Sequence, residues 1–148
     1  MSIKIKYRYE GSFEKPRKQT SGAAGIDLVN NDAHSCTVEP GNSAIISTGV
    51  FMEIPEGYVG LLFARSSLGF KYSCTLANSV GVIDSDYRGE IKAKIINHGK
   101  EAHTFVPGER FAQLVIVPVP QIELIESELS ETERGEGGFG STGKWKDF

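Results

Sequence analysis

Ala44-Ile-Ile-Ser-Thr-Gly-Val-Phe-Met-Glu-Ile54, then Pro55-Glu-Gly57, then Tyr58-Val-Gly-Leu-Leu-Phe-Ala64: this stretch decides the fold class. Both runs are rich in β-branched and aromatic residues, and turn residues part them. Neither keeps the spacing of an amphipathic helix. The same grammar extends outward. Toward the N-terminus, Ile3, Ile5, Tyr7 and Tyr9 alternate with Ser2, Lys4, Lys6 and Arg8, the period of a half-buried strand. Toward the C-terminus, Ser73–Val80 and Glu90–Ile96 are strand candidates, and Phe111–Val119 is apolar enough to be covered on both faces. Ile122, Leu124 and Ile125 suggest one more strand. Turn signals stand at Pro40-Gly-Asn42, Asn97-His-Gly99 and Pro107-Gly108. Only Ser66–Tyr72 reads as a short helix. Many short strands at fairly even spacing predict an all-β antiparallel sandwich or barrel.

Composition sets the outer bounds. A chain of 148 residues with 39% hydrophobic and 24% charged residues is one globular domain. A net charge of −3 argues against a coat for nucleic acid, which needs a basic stripe. The longest uncharged apolar runs, Tyr58–Ala64 and Phe111–Pro120, fall short of the roughly 20 residues of a membrane helix. The first ten residues hold no continuous apolar core of a secretory signal. Cys36 and Cys74 form no CxxC pair and read as reduced thiols. The expectation is a cytoplasmic protein with neither nucleic acid nor membrane as partner. After Ile125 the character changes. Glu126–Glu133 is acidic, and Arg134–Gly143 holds five glycines in ten residues. The predicted layout is a β domain over 1–125 and a flexible arm over 126–148.

Two glycine motifs in the arm fail on context. Gly135-x-Gly137-x-x-Gly140 fits a dinucleotide fingerprint, but no strand and helix can frame it. Gly138-x-x-x-x-Gly143-Lys144 approaches a P-loop, but Trp145 stands where Ser or Thr must meet magnesium. His34, His98 and His103 show no metal-ligand spacing, and no Gly-x-Ser-x-Gly elbow exists.

Three features carry chemistry. Arg65-Ser-Ser67 follows an apolar strand and offers a guanidinium fork and two hydroxyls to a phosphate. Gly81-Val-Ile-Asp-Ser-Asp-Tyr-Arg-Gly89 reads as a hairpin whose Val82 and Ile83 would seat Asp84 partly shielded from water. Gly108-Glu-Arg-Phe-Ala-Gln113 places an amide at the mouth of a buried strand, where it needs a partner. Read singly, these are a helix start, a turn and a structural amide.

Taken in order with the arm, they resemble the five motifs of the trimeric dUTP diphosphatases. The first is Ala24-Gly-Ile-Asp27-Leu28 and the second Arg65-Ser-Ser-Leu-Gly69. The third is Asn78-Ser-Val-Gly-Val-Ile-Asp84-Ser-Asp-Tyr87-Arg-Gly89. The fourth is Gly108-Glu-Arg-Phe-Ala-Gln113-Leu114 and the fifth Arg134-Gly-Glu-Gly-Gly-Phe139-Gly-Ser-Thr-Gly143. The resemblance implies a jelly-roll-like β-barrel in a homotrimer, with a mobile C-terminal arm reaching over a site at a subunit junction. It implies hydrolysis of dUTP to dUMP and diphosphate, which removes dUTP from the nucleotide pool and supplies dUMP.

The implied roles follow by residue. Asp84 would hold the attacking water and take its proton. Tyr87 would pack on the deoxyribose and leave no room for a 2′-hydroxyl. Asn78, Val82, Ile83 and Lys92 would meet the uracil edge. Arg65, Ser66, Ser67 and Gln113 would hold the phosphates. From the arm, Arg134 would grip the γ-phosphate, Phe139 would stack on uracil, and Ser141 and Thr142 would add donors. Mg²⁺ would be held mainly by the phosphates, with Asp27 nearby through water or as a structural acid.

One motif departs from the pattern: the second usually reads Pro-Arg-Ser-Gly, and here it is Ala64-Arg65-Ser66-Ser67, with Ser67 in place of the Gly. Arg-Ser-Ser-Leu also resembles the dCTP deaminases, which share the fold. Where they place a glutamate base, this chain has Lys94, whose charge has the wrong sign to activate water. The reading from another class is a non-catalytic nucleotide-sensing module. Against it, Asp84, Gln113, Arg134 and Phe139 all stand in place.

Overall fold

The computed structural model describes residues 2–139 together with Ser141 and Gly143. The chain forms β1 (Lys6–Tyr9), β2 (Ile26–Val29), β3 (Cys36–Val38), β4 (Ser43–Glu53) and β5 (Tyr58–Ala64). A short helix, α1 (Ser66–Tyr72), follows. Then come β6 (Cys74–Leu76), β7 (Gly81–Ile83), β8 (Glu90–Asn97), β9 (His103–Phe105) and β10 (Arg110–Pro118). Two four-stranded sheets, β1-β4-β8-β6 and β2-β10-β5-β7, and the β3-β9 pair make a jelly-roll-like sandwich. Every pairing is antiparallel.

The core lies between the sheets. Ile46, Val50 and Ile95 from one sheet meet Leu28, Leu62 and Leu114 from the other, with Phe105 and Phe111 filling the end. Each such side chain contributes about 1.5–3 kcal/mol on burial. The alternation in β8 is clean: Ile91, Ala93 and Ile95 point in, while Lys92 and Lys94 point out. The buried polar residues Asn30, Thr48 and Asn97 are partnered, whereas the buried Nε2 of His103 has no hydrogen-bond partner among the described residues. Asn30 donates to the Phe105 carbonyl at 3.3 Å, and Asn97 donates to the Val38 carbonyl at 2.9 Å.

The long strands and α1 stand where the sequence places them. The differences have local causes. β1 starts only at Lys6 and is mostly exposed, since its single partner is β4. Ser73–Val80 is strand only over three residues. Ser73 takes a left-handed φ of 54° as it closes α1, and Ser79 turns at φ 62°. β2, β3, β7 and β9 have three or four residues each and exist by virtue of their partners. Ile122–Ile125 is not a strand, because nothing among the described residues pairs with it. Both cysteines are free thiols, and Cys74 is buried. Among the described residues, no helix is long and apolar enough to cross a membrane.

Candidate functional site

Three strands bring the first cluster together. Gln113 on β10 stands opposite Asp27 on β2 and Phe63 on β5, so the mouths of all three strands converge there. Arg65 leaves the end of β5, and its N–H donates to the Phe111 carbonyl at 3.0 Å. The Asp27 carboxylate, only 12% exposed, faces two guanidiniums. Its Oδ2 is 3.5 Å from Arg65 Nε and 3.6 Å from Arg110 Nη1. Arg65 Nη1 also donates to the Arg110 carbonyl at 3.2 Å. Two cations balance one acid, which leaves a net positive site with its forks held in place.

Gln113 Nε2 lies 3.4 Å from the Ala64 carbonyl. Gly25 lets the amide sit there, since a Cβ at this position would fall 2.8 Å from Gln113 Oε1. Ser66 is exposed and Ser67 half-buried in the first turn of α1. Arg110 is a member of this cluster that sequence reading missed. Its signal was an aspartate in a strand that needs more than one cation, visible only once the register is known.

The second cluster is the hairpin after β7. The Tyr87 N–H donates to the Asp84 carbonyl at 3.2 Å. Arg88 Nη1 donates to the carbonyls of Ser85 at 2.6 Å and Tyr87 at 3.0 Å, which braces the turn. Tyr87 Oη donates to the Glu90 carbonyl at 2.9 Å. Gly89 makes room for this, because a Cβ there would collide with the Tyr87 ring.

A cavity of about 410 Å³ is lined by Val82, Ile83, Asp84, Tyr87 and Lys92. Another of about 460 Å³ is lined by Asn78, Val82, Ile83 and Lys92. Thus the sequence-predicted nucleoside residues do stand together. Asp84, however, is exposed in the single chain, and Val82 and Ile83 do not shield it as the sequence suggested. A larger open cavity of about 950 Å³ lies on the other flank of the hairpin, between Asp84, Asp86, Arg88 and the Glu53–Tyr58 turn.

The two clusters are separate. β5 pairs Gly60 with Ile83, which sets Asp84 level with Val59, six residues before Arg65. At roughly 3.3 Å per residue the gap along the strand is about 20 Å. The described residues of the arm join neither cluster. Arg134 Nε donates to the Gly137 carbonyl at 2.7 Å, Phe139 is fully exposed, and the Ser141 N–H donates to Gly138 at 3.0 Å. Among the described residues, the last hydrogen bond tying the C-terminal segment to the sheets is Val119 N–H to the Gly57 carbonyl, 2.8 Å. Thr142 and Trp145 lie outside the described residues. Among the described residues, no three His, Cys, Asp or Glu side chains gather to hold a metal.

Comparison with known proteins bears on this arrangement. The dUTPase family profile matches residues 12–143. The deoxyuridine 5'-triphosphate nucleotidohydrolase of Nautilia profundicola is 49% identical over 145 residues, covering 97% of this chain and 100% of its own. The Staphylococcus bacteriophage 80alpha dUTPase with dUPNHPP has a TM-score of 0.78 at 31% identity, over 96% of this chain and 99% of that one. A mutant dUTPase from phage phi11 of S. aureus, described as coordinating a structural Mg(II) ion, has a TM-score of 0.76 at 28% identity, over 86% and 98%.

Proposed function

Since the chain belongs to the dUTPase family and hydrolyses dUTP to dUMP and diphosphate, we propose that Asp84 activates the attacking water while the Arg65 cluster holds the phosphates, in a site that one subunit does not complete alone. The observation that carries this is the distance of about 20 Å between the two clusters within one chain, at ~3.3 Å per strand residue. A triphosphate cannot keep Asp84 beside its α-phosphorus and reach Arg65 of the same subunit. A neighbouring subunit must bring the other half.

The assembly proposed is a homotrimer. Ile122, Leu124, Ile125 and Leu129 support it, being 77%, 90%, 77% and 93% exposed in a segment with no strand partner of its own. Such a row of apolar side chains marks a surface meant for a partner. The division proposed is a β domain over 1–125 and an arm over 126–148 that closes on a neighbour's site. Two free thiols support a cytoplasmic place of action.

In this reading the Asp84 carboxylate accepts a proton from water as that water attacks the α-phosphorus in line. The new bond joins the water oxygen to phosphorus, and the α–β bridging bond breaks to release diphosphate. Tyr87, braced by Glu90 and Gly89, presents its ring to the sugar and excludes a 2′-hydroxyl. Asn78, Val82, Ile83 and Lys92 line the pocket for uracil. Arg65, Ser66, Ser67 and Gln113 take the phosphates.

Arg110 joins them as an addition from the structure, and Asp27 orients both arginines. From the arm, Arg134, Phe139, Ser141 and Thr142 close over the substrate and keep out bulk water. Mg²⁺ fits as a companion of the triphosphate. Asp27 is already committed to two guanidiniums, so the phosphate oxygens and waters would be left to hold the ion, as suits a hard cation. Bound there, it neutralises phosphate charge.

The test is Asp84→Asn. It keeps the turn and removes the base, so kcat falls about 10²-fold or more with little change in KM. Near-normal turnover would remove Asp84 from the role.

A further inference from the structure

We propose that Glu90 is a positioning residue of the nucleoside pocket, acting through Lys92; the inference rests on the site reading above. Glu90 opens β8 at an irregular point of the sheet. β8 advances from Glu90 to Lys92 while its partner β4 runs from Phe51 to Ser47, so Thr48, Gly49 and Val50 together face Ile91. The extra residues of this bulge need partners. Thr48 Oγ1 donates to the Ile91 carbonyl at 2.6 Å and accepts the Val50 N–H at 3.2 Å. Gly49 sits at φ 67°, with the Glu10 carbonyl 2.7 Å from where a Cβ would stand. Its N–H donates to Glu90 Oε1 at 2.8 Å. One oxygen of the Glu90 carboxylate is therefore fixed by the backbone of the neighbouring strand.

The other oxygen is turned to the pocket. Glu90 Oε2 lies 3.2 Å from Lys92 Nζ. The acid is 19% exposed and the lysine 51%, so the anchored partner is the acid. Lys92 lines both cavities that flank Val82 and Ile83. A free lysine stem samples many rotamers, whereas one tied to a fixed carboxylate keeps its remaining N–H donors in one direction. Uracil presents two carbonyl acceptors around one N–H. Cytosine replaces one of those carbonyls with an amine donor. An ammonium held toward the position where cytosine carries its amine therefore favours uracil. Through its carbonyl, Glu90 also holds the Tyr87 hydroxyl, so one residue anchors both the base side and the sugar side of the pocket.

The test compares Glu90→Gln, Lys92→Met and the double variant, measuring kcat and KM for dUTP and dCTP and the thermal midpoint of the full-length protein. Gln keeps an acceptor for the Gly49 N–H and removes only the charge that holds Lys92. The expected result is a KM for dUTP raised about fivefold, the upper range for a partly exposed ion pair, with kcat and the midpoint nearly unchanged. Lys92→Met should match it, and the double variant should be no worse than Lys92→Met alone. An unchanged KM in Glu90→Gln, a lowered midpoint without a KM effect, or additive losses in the double variant would overturn the proposal and leave Glu90 a partner of the bulge alone. None of these outcomes touches the reaction itself, which Asp84→Asn decides separately.

Discussion

The cluster proposed to hold phosphate and the hairpin proposed to hold the nucleoside are built in opposite ways. At the mouths of β2, β5 and β10, charges hold one another: Asp27 sits between Arg65 and Arg110, half-buried, with Gln113 wedged over Gly25. At the hairpin, backbone geometry does the holding. Arg88 and Tyr87 spend their donors on carbonyls of the turn, and the Asp84 carboxylate is left exposed and without a hydrogen-bond partner among the described residues. Binding groups gain from being oriented before the ligand arrives. A general base gains from keeping its lone pairs free for water. On the proposed reading the molecule ties up the carboxylate that organises and frees the one that reacts.

Each prediction presses on that contrast. Beyond Asp84→Asn, the next largest effect belongs to the arm. Removing residues 134–148 should leave a folded assembly with low activity, since the described arm makes only local hydrogen bonds. Gel filtration and steady-state kinetics check it, and an unfolded product would make the arm structural.

Asp27→Asn comes next. It strips the shared acid from two guanidiniums and should lower kcat/KM about tenfold to a hundredfold, the scale of breaking a partly buried charge pair. If Asp27 only packs, kcat/KM will stay and the melting temperature alone will fall.

A matched pair of glycine variants separates the clusters. Gly25→Ala should push Gln113 aside and raise KM for every nucleoside triphosphate accepted. Gly89→Ala should displace the Tyr87 ring and weaken the preference for dUTP over UTP. A few-fold change is expected for each, the scale of a small steric or contact change in a pocket. The same pattern from both variants would erase the distinction between the clusters.

The smallest effect lies outside both. Burial pushes the Cys74 thiol above its ordinary 9.0. The folded chain then keeps a proton that the unfolded chain gives up, so this stabilisation is full below pH 9 and shrinks as pH rises beyond it. Urea titrations of wild type and Cys74→Ala at pH 8 and pH 10 should show their difference narrowing.

How much of this the residues announced depends on the range of the interaction. β4, β5, β10 and α1 were legible because eleven, seven, nine and seven consecutive residues carry their own period and their own turn signals. The hairpin from Asp84 to Gly89 was legible for the same reason, as were Arg65 and Gln113 from their places at strand ends. β2, β3 and β9 were not, since strands of three or four residues are made by the partner that pairs with them. Ile122–Ile125 has the residues of a strand and no partner among the described residues.

The sequence by itself determined an all-β chain, the order of its motifs and the kind of chemistry each can do, because side-chain type and local period are properties of neighbouring residues. Only the tertiary structure decided that Arg110 shares Asp27 with Arg65, that Glu90 spans the bulge and Lys92, and that Asp84 stands a strand's length from Arg65. Those are facts of register between segments far apart in the chain, and no local pattern encodes register across a sandwich.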